Sequence, residues 1–184
     1  MKLEPNQSNQ PNQTSFIWDK IEAEKSYQRP TAREGHSMIF LNDKNRYLIF
    51  AGISNTRYSD VFTLNPSIIN TYKYKLILNL AEQKWNLEKP TGEIPKDLSH
   101  CAYWYDAPYF FFHGGRNKEI SLSDTYFLNT DTWVWRKAFT MDQPPPRYNH
   151  AAIKTNNKEA YIYGGFDDKK NSCFSDIHKY NYGK

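Results

Sequence analysis

The sequence predicts an all-β chain built from copies of one four-stranded antiparallel unit, and three observations predict it. Trp85, His100 and Gly114-Gly115 recur fifty positions on as Trp135, His150 and Gly164-Gly165. The segments that run into the glycines, YLIFAG (47–52), PYFFFHGG (108–115) and AYIYGG (160–165), are short, apolar and aromatic. Polar turns bound them, as for buried strands. No copy sustains a helical period. A fixed period of about 50 residues marks a repeat architecture, in which stacked neighbours bury what one unit cannot.

Each unit reads as strands a to d. Strand a follows a histidine: Arg33-Glu-Gly-His36, Asp97-Leu-Ser-His100 and Arg147-Tyr-Asn-His150. Strand b ends at Gly52, at Gly114-Gly115 and at Gly164-Gly165, where glycine permits positive φ and lets a neighbouring backbone approach closely. Strand c follows Asp60, Asp124 and Asp176. Strand d carries Trp85 or Trp135, a large ring able to cover the join between adjacent sheets. The units span roughly 31–89, 95–139 and 145–184. Two departures stand out: Asp97 takes the arginine position of the second copy, and Ala51 takes the first glycine of the first.

The first copy is longer. Asp60 to Trp85 is 25 positions where Asp124 to Trp135 is 11, so 14 residues are added. PSIINTYKYKLI (66–77) is therefore an insertion between strands c and d, or a displacement of strand c. Residues 1–15, rich in Asn, Gln and Pro, predict a disordered tail, and residues 16–184 the repeat segment. Trp18 precedes His36 much as Trp85 precedes His100, so it reads as a d strand without its own a, b and c strands. The third copy ends before any Trp strand.

The ordered set of Arg-x-x-His, an apolar strand into Gly-Gly, Ser-Asp before another strand, then Trp resembles the kelch family, over roughly residues 16–184. The Pro-rich approaches QRPTAR (28–33) and PPPR (144–147) look more like the host cell factor class of repeats. The resemblance implies a kelch-type β-propeller of about three four-stranded blades. Closed propellers need about four to eight blades. A partial propeller is expected, completed by a longer chain or by self-association, two copies making six blades.

Composition limits function. The net charge is +4, with 24 basic and 20 acidic residues scattered and no long basic run, so no nucleic-acid partner is expected. No apolar run approaches the roughly 20 residues needed for membrane insertion. No secretory signal is seen at the amino terminus. Cys101 and Cys173 lack metal-type spacing and read as free thiols in a reducing compartment, which places the protein in the cytoplasm.

No catalytic residues, metal site or cofactor are expected. His36, His100 and His150 are explained by their repeat position, and no Gly-x-Ser-x-Gly or phosphate loop is present. Some kelch propellers resemble galactose oxidase with its copper centre, so part of a larger kelch enzyme is the alternative, as is a truncated, non-functional fragment. The expected role is a protein-binding scaffold. Alternating strand direction puts the b–c loops, 53–59, 116–123 and 166–175, on one face with the d–a links. Kelch-like proteins bind protein or peptide partners through such faces, which makes Arg57, Tyr58, Arg116 and Asn117 the candidate binding residues, Arg and Tyr being favoured anchors.

Overall fold

The computed structural model describes residues 29–65 and 84–183, and every regular element among them is a β-strand. The tail 1–15, Trp18 and the extra segment 66–77 lie outside the described residues. Strands β1 (Ser37–Leu41), β2 (Arg46–Phe50), β3 (Val61–Leu64) and β4 (Trp85–Glu88) form one antiparallel sheet in sequence order. The second sheet repeats this with β6 (Ala102–Asp106), β7 (Tyr109–His113), β8 (Thr125–Asn129) and β9 (Val134–Lys137). A short β5 (Thr91–Gly92), from the link out of the first sheet, lies parallel to β9 on its outer edge. The third sheet holds β10 (Ala151–Lys154), β11 (Glu159–Tyr163) and β14 (Ile177–Asn181). A hairpin of β12 (Phe166–Asp167) and β13 (Ser172–Cys173), not anticipated from the sequence, stands in its b–c loop. The third sheet has three strands among the described residues. These sheets stack side by side as the blades of a β-propeller segment.

The first strands line the inner side, with β6 beside both β1 and β10. A backbone seam joins the blades there. His100 N–H donates to Gly35 C=O at 2.7 Å, and Asn149 N–H donates to His100 C=O at 3.0 Å. These residues share a left-handed backbone, with φ of 58°, 58° and 57°. Gly52 N–H donates to Leu98 C=O and Gly115 N–H to Arg147 C=O, both at 2.9 Å.

The seam corrects the alignment of the second copy. His100 matches Gly35 and Asn149, one place before the histidine position. Cys101 matches His36 and His150: a Cβ on Gly52, Gly115 or Gly165 meets His36, Cys101 or His150 respectively. Leu98, not Asp97, then matches Arg33 and Arg147. The physical cause is the first hairpin. Ala102 pairs with His113 across a two-residue turn, whereas Ala151 pairs with Tyr163 across a three-residue turn, closed by Thr155 N–H donating to Glu159 C=O. The shortening moves strand a relative to the glycines, and a chance histidine stands at the expected spacing.

Two apolar cores lie between the blades. Between the first and second, Leu41, Leu48, Phe50 and Val61 meet Phe110, Phe112, Leu128 and Trp135. Trp135 is fully buried with its ring 4.9 Å from Phe50, so it covers the join as expected. Trp85 is half-buried and edge-on to Phe62. Between the second and third blades, Trp104 and Phe111 meet Ala160, Tyr180 and Tyr182. Such ring pairs supply stabilisation beyond their buried area, about 0.5–1.5 kcal/mol each.

Candidate functional site

The end of the molecule that carries the b–c loops is built from the blade approaches upward. In the first blade Arg33 reaches Asp60 through both terminal nitrogens, at 2.5 and 3.1 Å, and its Nη1 also donates to Ala51 C=O. Its guanidinium lies 4.0 Å from the Tyr58 ring centroid. The third blade repeats the arrangement with Arg147, Asp176, Gly164 C=O and Phe174. The second blade replaces the arginine and the aromatic together, by Leu98 and Leu122, which join one apolar cluster. Asp124, left without an arginine, accepts from Lys137 Nζ at 2.9 Å. An ion pair stacked on an aromatic ring and an aliphatic pair thus fill the same place.

These clamps fix the loops. Single bridges tie Glu34 to Ile53, Ser99 to Arg116 and Tyr148 to Phe166, so each d–a link is stitched to the b–c loop of its own blade. Both sets of segments emerge on one face, as strand alternation requires. The opposite end has its own ties: Tyr105 Oη donates to Asp43 at 2.5 Å, and Lys44 pairs with Asp131.

The four candidate residues fall on this face in different states. Arg57 bridges to Ile53, and its Nε is buried with no described partner. Tyr58 stacks beneath Arg33, and its hydroxyl meets Ser54 Oγ at 2.7 Å. Arg116 is 38% exposed and donates Nε–H to Asp168 Oδ2 at 2.9 Å, with its guanidinium 5.6 Å from the Tyr148 ring. Asn117 accepts from the backbone N–H groups of Glu119 and Ile120, which shapes its own loop.

Asp168 is the residue the sequence concealed. Beside Asp167, Lys169 and Lys170 it reads as part of a self-cancelling solvated turn. Folded, it accepts from Arg116 and from Ser121 Oγ at 3.0 Å, so it ties the second blade's loop to the third's. Only the b–c hairpin β12–β13 brings it there, and nothing local in the sequence signals that.

The histidines do not converge. His36 is exposed, Cys101 holds the equivalent place in the second blade, and His150 is buried between the second and third. Burial pushes the Cys101 thiol up to about 12. The His113 ring lies 5.4 Å from that of His150, and Nδ1 of His113 meets Thr125 Oγ1 at 2.9 Å. Burial, with the Arg147 charge nearby, depresses His113 to about 4, and burial, then His113 and Arg147, depresses His150 to about 3. Among the described residues no three His, Cys, Asp or Glu side chains form a group able to hold a metal ion.

Comparison with known proteins agrees with this architecture. The family model of the KLHDC2/KLHL20/DRC7 Kelch-repeats domain matches residues 67–184. Kelch domain-containing protein 1 of Homo sapiens is 26% identical over 165 residues, 82% of this chain and 39% of that protein. Host cell factor of Drosophila melanogaster is 25% identical over 166 residues, 83% of this chain and 11% of that protein. The flagellar outer arm dynein alpha chain of Chlamydomonas reinhardtii is 29% identical over 105 residues, 53% of this chain and 2% of that protein. The chain spans two-fifths or less of the length of these relatives.

Proposed function

The chain belongs to the kelch-repeat family, and on that premise we propose that it is a non-catalytic scaffold binding a protein or peptide partner through its b–c loop face. The carrying observation is the loop tie of Arg116, Asp168, Ser121 and Tyr148, which holds a part-exposed arginine beside an aromatic ring on a preorganised surface. Arginine and tyrosine held this way give up little further side-chain freedom on binding, and both are favoured anchors. Arg57, half-buried in the first blade's b–c loop, supplies a second cationic side chain on the same face. Tyr58 and Asn117 support these residues through the Arg33 stack and the loop's own backbone. We place the protein in the cytoplasm, which two unpaired cysteines support.

Capture of partners from cell extract by the purified chain tests the reading. Arg57→Ala with Arg116→Ala should lose at least tenfold in affinity for whichever protein the unmodified chain retains, with an unchanged circular dichroism spectrum. Retention of the same proteins by a folded double variant overturns this face as the site.

A further inference from the structure

The b–c loops of the second and third blades carry Arg116, Lys118, Lys169 and Lys170 against Glu119, Asp167 and Asp168. Along the chain the charges of the third loop cancel. Folded, they do not, because both of its aspartates are engaged inside the protein. Asp167 is buried, and its Oδ1 accepts from the backbone N–H groups of Lys169 and Lys170 at 2.9 and 3.4 Å. Asp168 accepts from Arg116 Nε and from Ser121 Oγ, and its own N–H donates back to that hydroxyl at 3.2 Å. Lys118, Lys169 and Lys170 are exposed, and none of them forms an ion pair among the described residues. Glu119 is the one exposed carboxylate on these two loops. The d–a links carry both signs in near balance, so the positive excess belongs to the b–c loops.

The arginines of this face are used differently. Arg33 and Arg147 turn both terminal nitrogens inward, onto Asp60 and Asp176 of their own blades. Arg116 bonds Asp168 through Nε alone, and neither of its terminal nitrogens has a hydrogen-bond partner among the described residues. One carboxylate therefore fixes the plane of the guanidinium and leaves its two-nitrogen fork free on a part-exposed side chain. Such a fork matches a second carboxylate, with two N–H groups donating to two oxygens. Because Asp168 already orients it, binding there gives up little side-chain freedom. Lys118 stands two residues beyond Arg116, and Lys169 and Lys170 directly follow Asp168, so three free lysines flank the fork.

The rings of the face favour peptide over nucleic acid. Single strands bind where bases can stack on open aromatic faces. Tyr58, Tyr148 and Phe174 are half-buried, and each already holds a guanidinium, from Arg33, Arg116 and Arg147 respectively. Lys170 Nζ also stands 5.8 Å from the Phe174 ring. Ile120, 37% exposed at the tip of the second blade's loop, offers an apolar contact beside the charges.

We propose that the partner segment held on this face is an acidic peptide. One Asp or Glu side chain takes the free fork of Arg116, and neighbouring carboxylates meet Lys118, Lys169 and Lys170. The assignment rests on the scaffold reading above and names the chemistry of the partner.

Selection from a random peptide library, displayed with the carboxyl ends fused so that no terminal carboxylate is free, uses the purified chain as bait. Enriched sequences should carry clustered Asp or Glu. Enrichment of neutral or basic sequences, or of none, overturns the proposal. The most enriched peptide, labelled with fluorescein and amidated at its carboxyl end, then reports affinity by fluorescence polarisation. Arg116→Lys keeps the charge but loses the fork, and should weaken binding about fivefold. Lys169→Ser with Lys170→Ser alters only exposed side chains, and should weaken it about threefold and reduce its dependence on salt. Circular dichroism should be unchanged in both. Full affinity in Arg116→Lys overturns the fork, and full affinity in the lysine pair overturns the flanking contacts. An unlabelled single-stranded oligonucleotide at equal concentration should not displace the peptide; displacement overturns the choice of peptide over nucleic acid. The two readings fail separately. Neutral sequences from the library, with capture still lost in the Arg57→Ala and Arg116→Ala double variant, leave the face standing and remove the acidic partner. Capture retained by that double variant removes the face itself.

Discussion

Arg147 and Asp176 form a two-pronged ion pair, at 2.5 and 2.9 Å, in which the arginine side chain is wholly buried and the aspartate 39% exposed. The guanidinium also donates to Gly164 C=O and stacks on Phe174, and beside it the Asp176 carboxyl is held far below the usual carboxylate range. Breaking one half of a buried pair leaves the other charge uncompensated, at a cost of about 3–5 kcal/mol.

Asp176→Ala is therefore expected to destabilise the chain by about 3 kcal/mol, near the lower end because the carboxylate is part-solvated. Arg147→Leu with Phe174→Leu copies the Leu98 and Leu122 of the second blade, removes the buried charge, and should cost less than Asp176→Ala alone. Urea unfolding ranks the two. The reverse ranking would show that the second blade's aliphatic solution depends on neighbours the third blade lacks.

The paired imidazoles set a pH dependence. His113 and His150 titrate in the folded chain at about 4 and about 3, below the ordinary 6.5, because burial disfavours their charged forms. Between these values the unfolded chain binds protons that the folded chain does not, so stability rises with pH. It is fully present above pH 6.5 and declines as pH falls from 6.5 towards 4, by a few kcal/mol in order of magnitude across the pair. Besides His150, the charged and titratable groups near His113 are Arg147, His178 and Asp124. The Asp176 contribution is lost below its unfolded value of 3.8, a lower window that meets only the acid end of the His150 titration. His113→Phe with Thr125→Val copies Phe50 and Val61 of the first blade and should flatten the fall of Tm between pH 6.5 and 4. An unaltered slope in that variant assigns the dependence elsewhere.

The paired glycines are not equally crowded: a Cβ on Gly114 or Gly115 meets neighbouring backbone, whereas one on Gly164 does not. A Cβ on Gly115 stands 2.3 Å from Cys101 Sγ and 2.9 Å from Ser99 C=O, at φ 92°. On Gly164 the nearest atom is 3.6 Å away, and Ala51 occupies the same place in the first blade at φ 61°. Gly164→Ala should cost only the left-handed backbone term, about 1–2 kcal/mol. Gly115→Ala adds a clash with Ser99 C=O and the Cys101 side chain of its own blade and should cost clearly more. Thermal unfolding of both variants checks the order, and equal losses would show that strand a yields without cost.

The period, the strand order and the glycine and tryptophan roles were legible in the sequence because each is local. An apolar strand running into a glycine and a bulky ring on the outer strand can be read without knowing distant partners. Trp135 closes the first join, and Ala51 adopts the backbone of the glycine it replaces. Register was not legible. His100 stands at a spacing that imitates His150, yet a two-residue turn shifts its strand and delivers Cys101 to that place. Nor was the site fully visible, since Arg57, Tyr58, Arg116 and Asn117 look alike as polar loop residues. Folding turns Tyr58 into a platform for Arg33 and Asn117 into a loop brace, and it joins Arg116 to an aspartate 52 positions away. The sequence by itself determined an all-β kelch repeat, since burying apolar strands at a fixed period needs no knowledge of distant partners. Tertiary structure alone decided which residue fills each slot and which charges meet, because those depend on hairpin lengths and on contacts between blades.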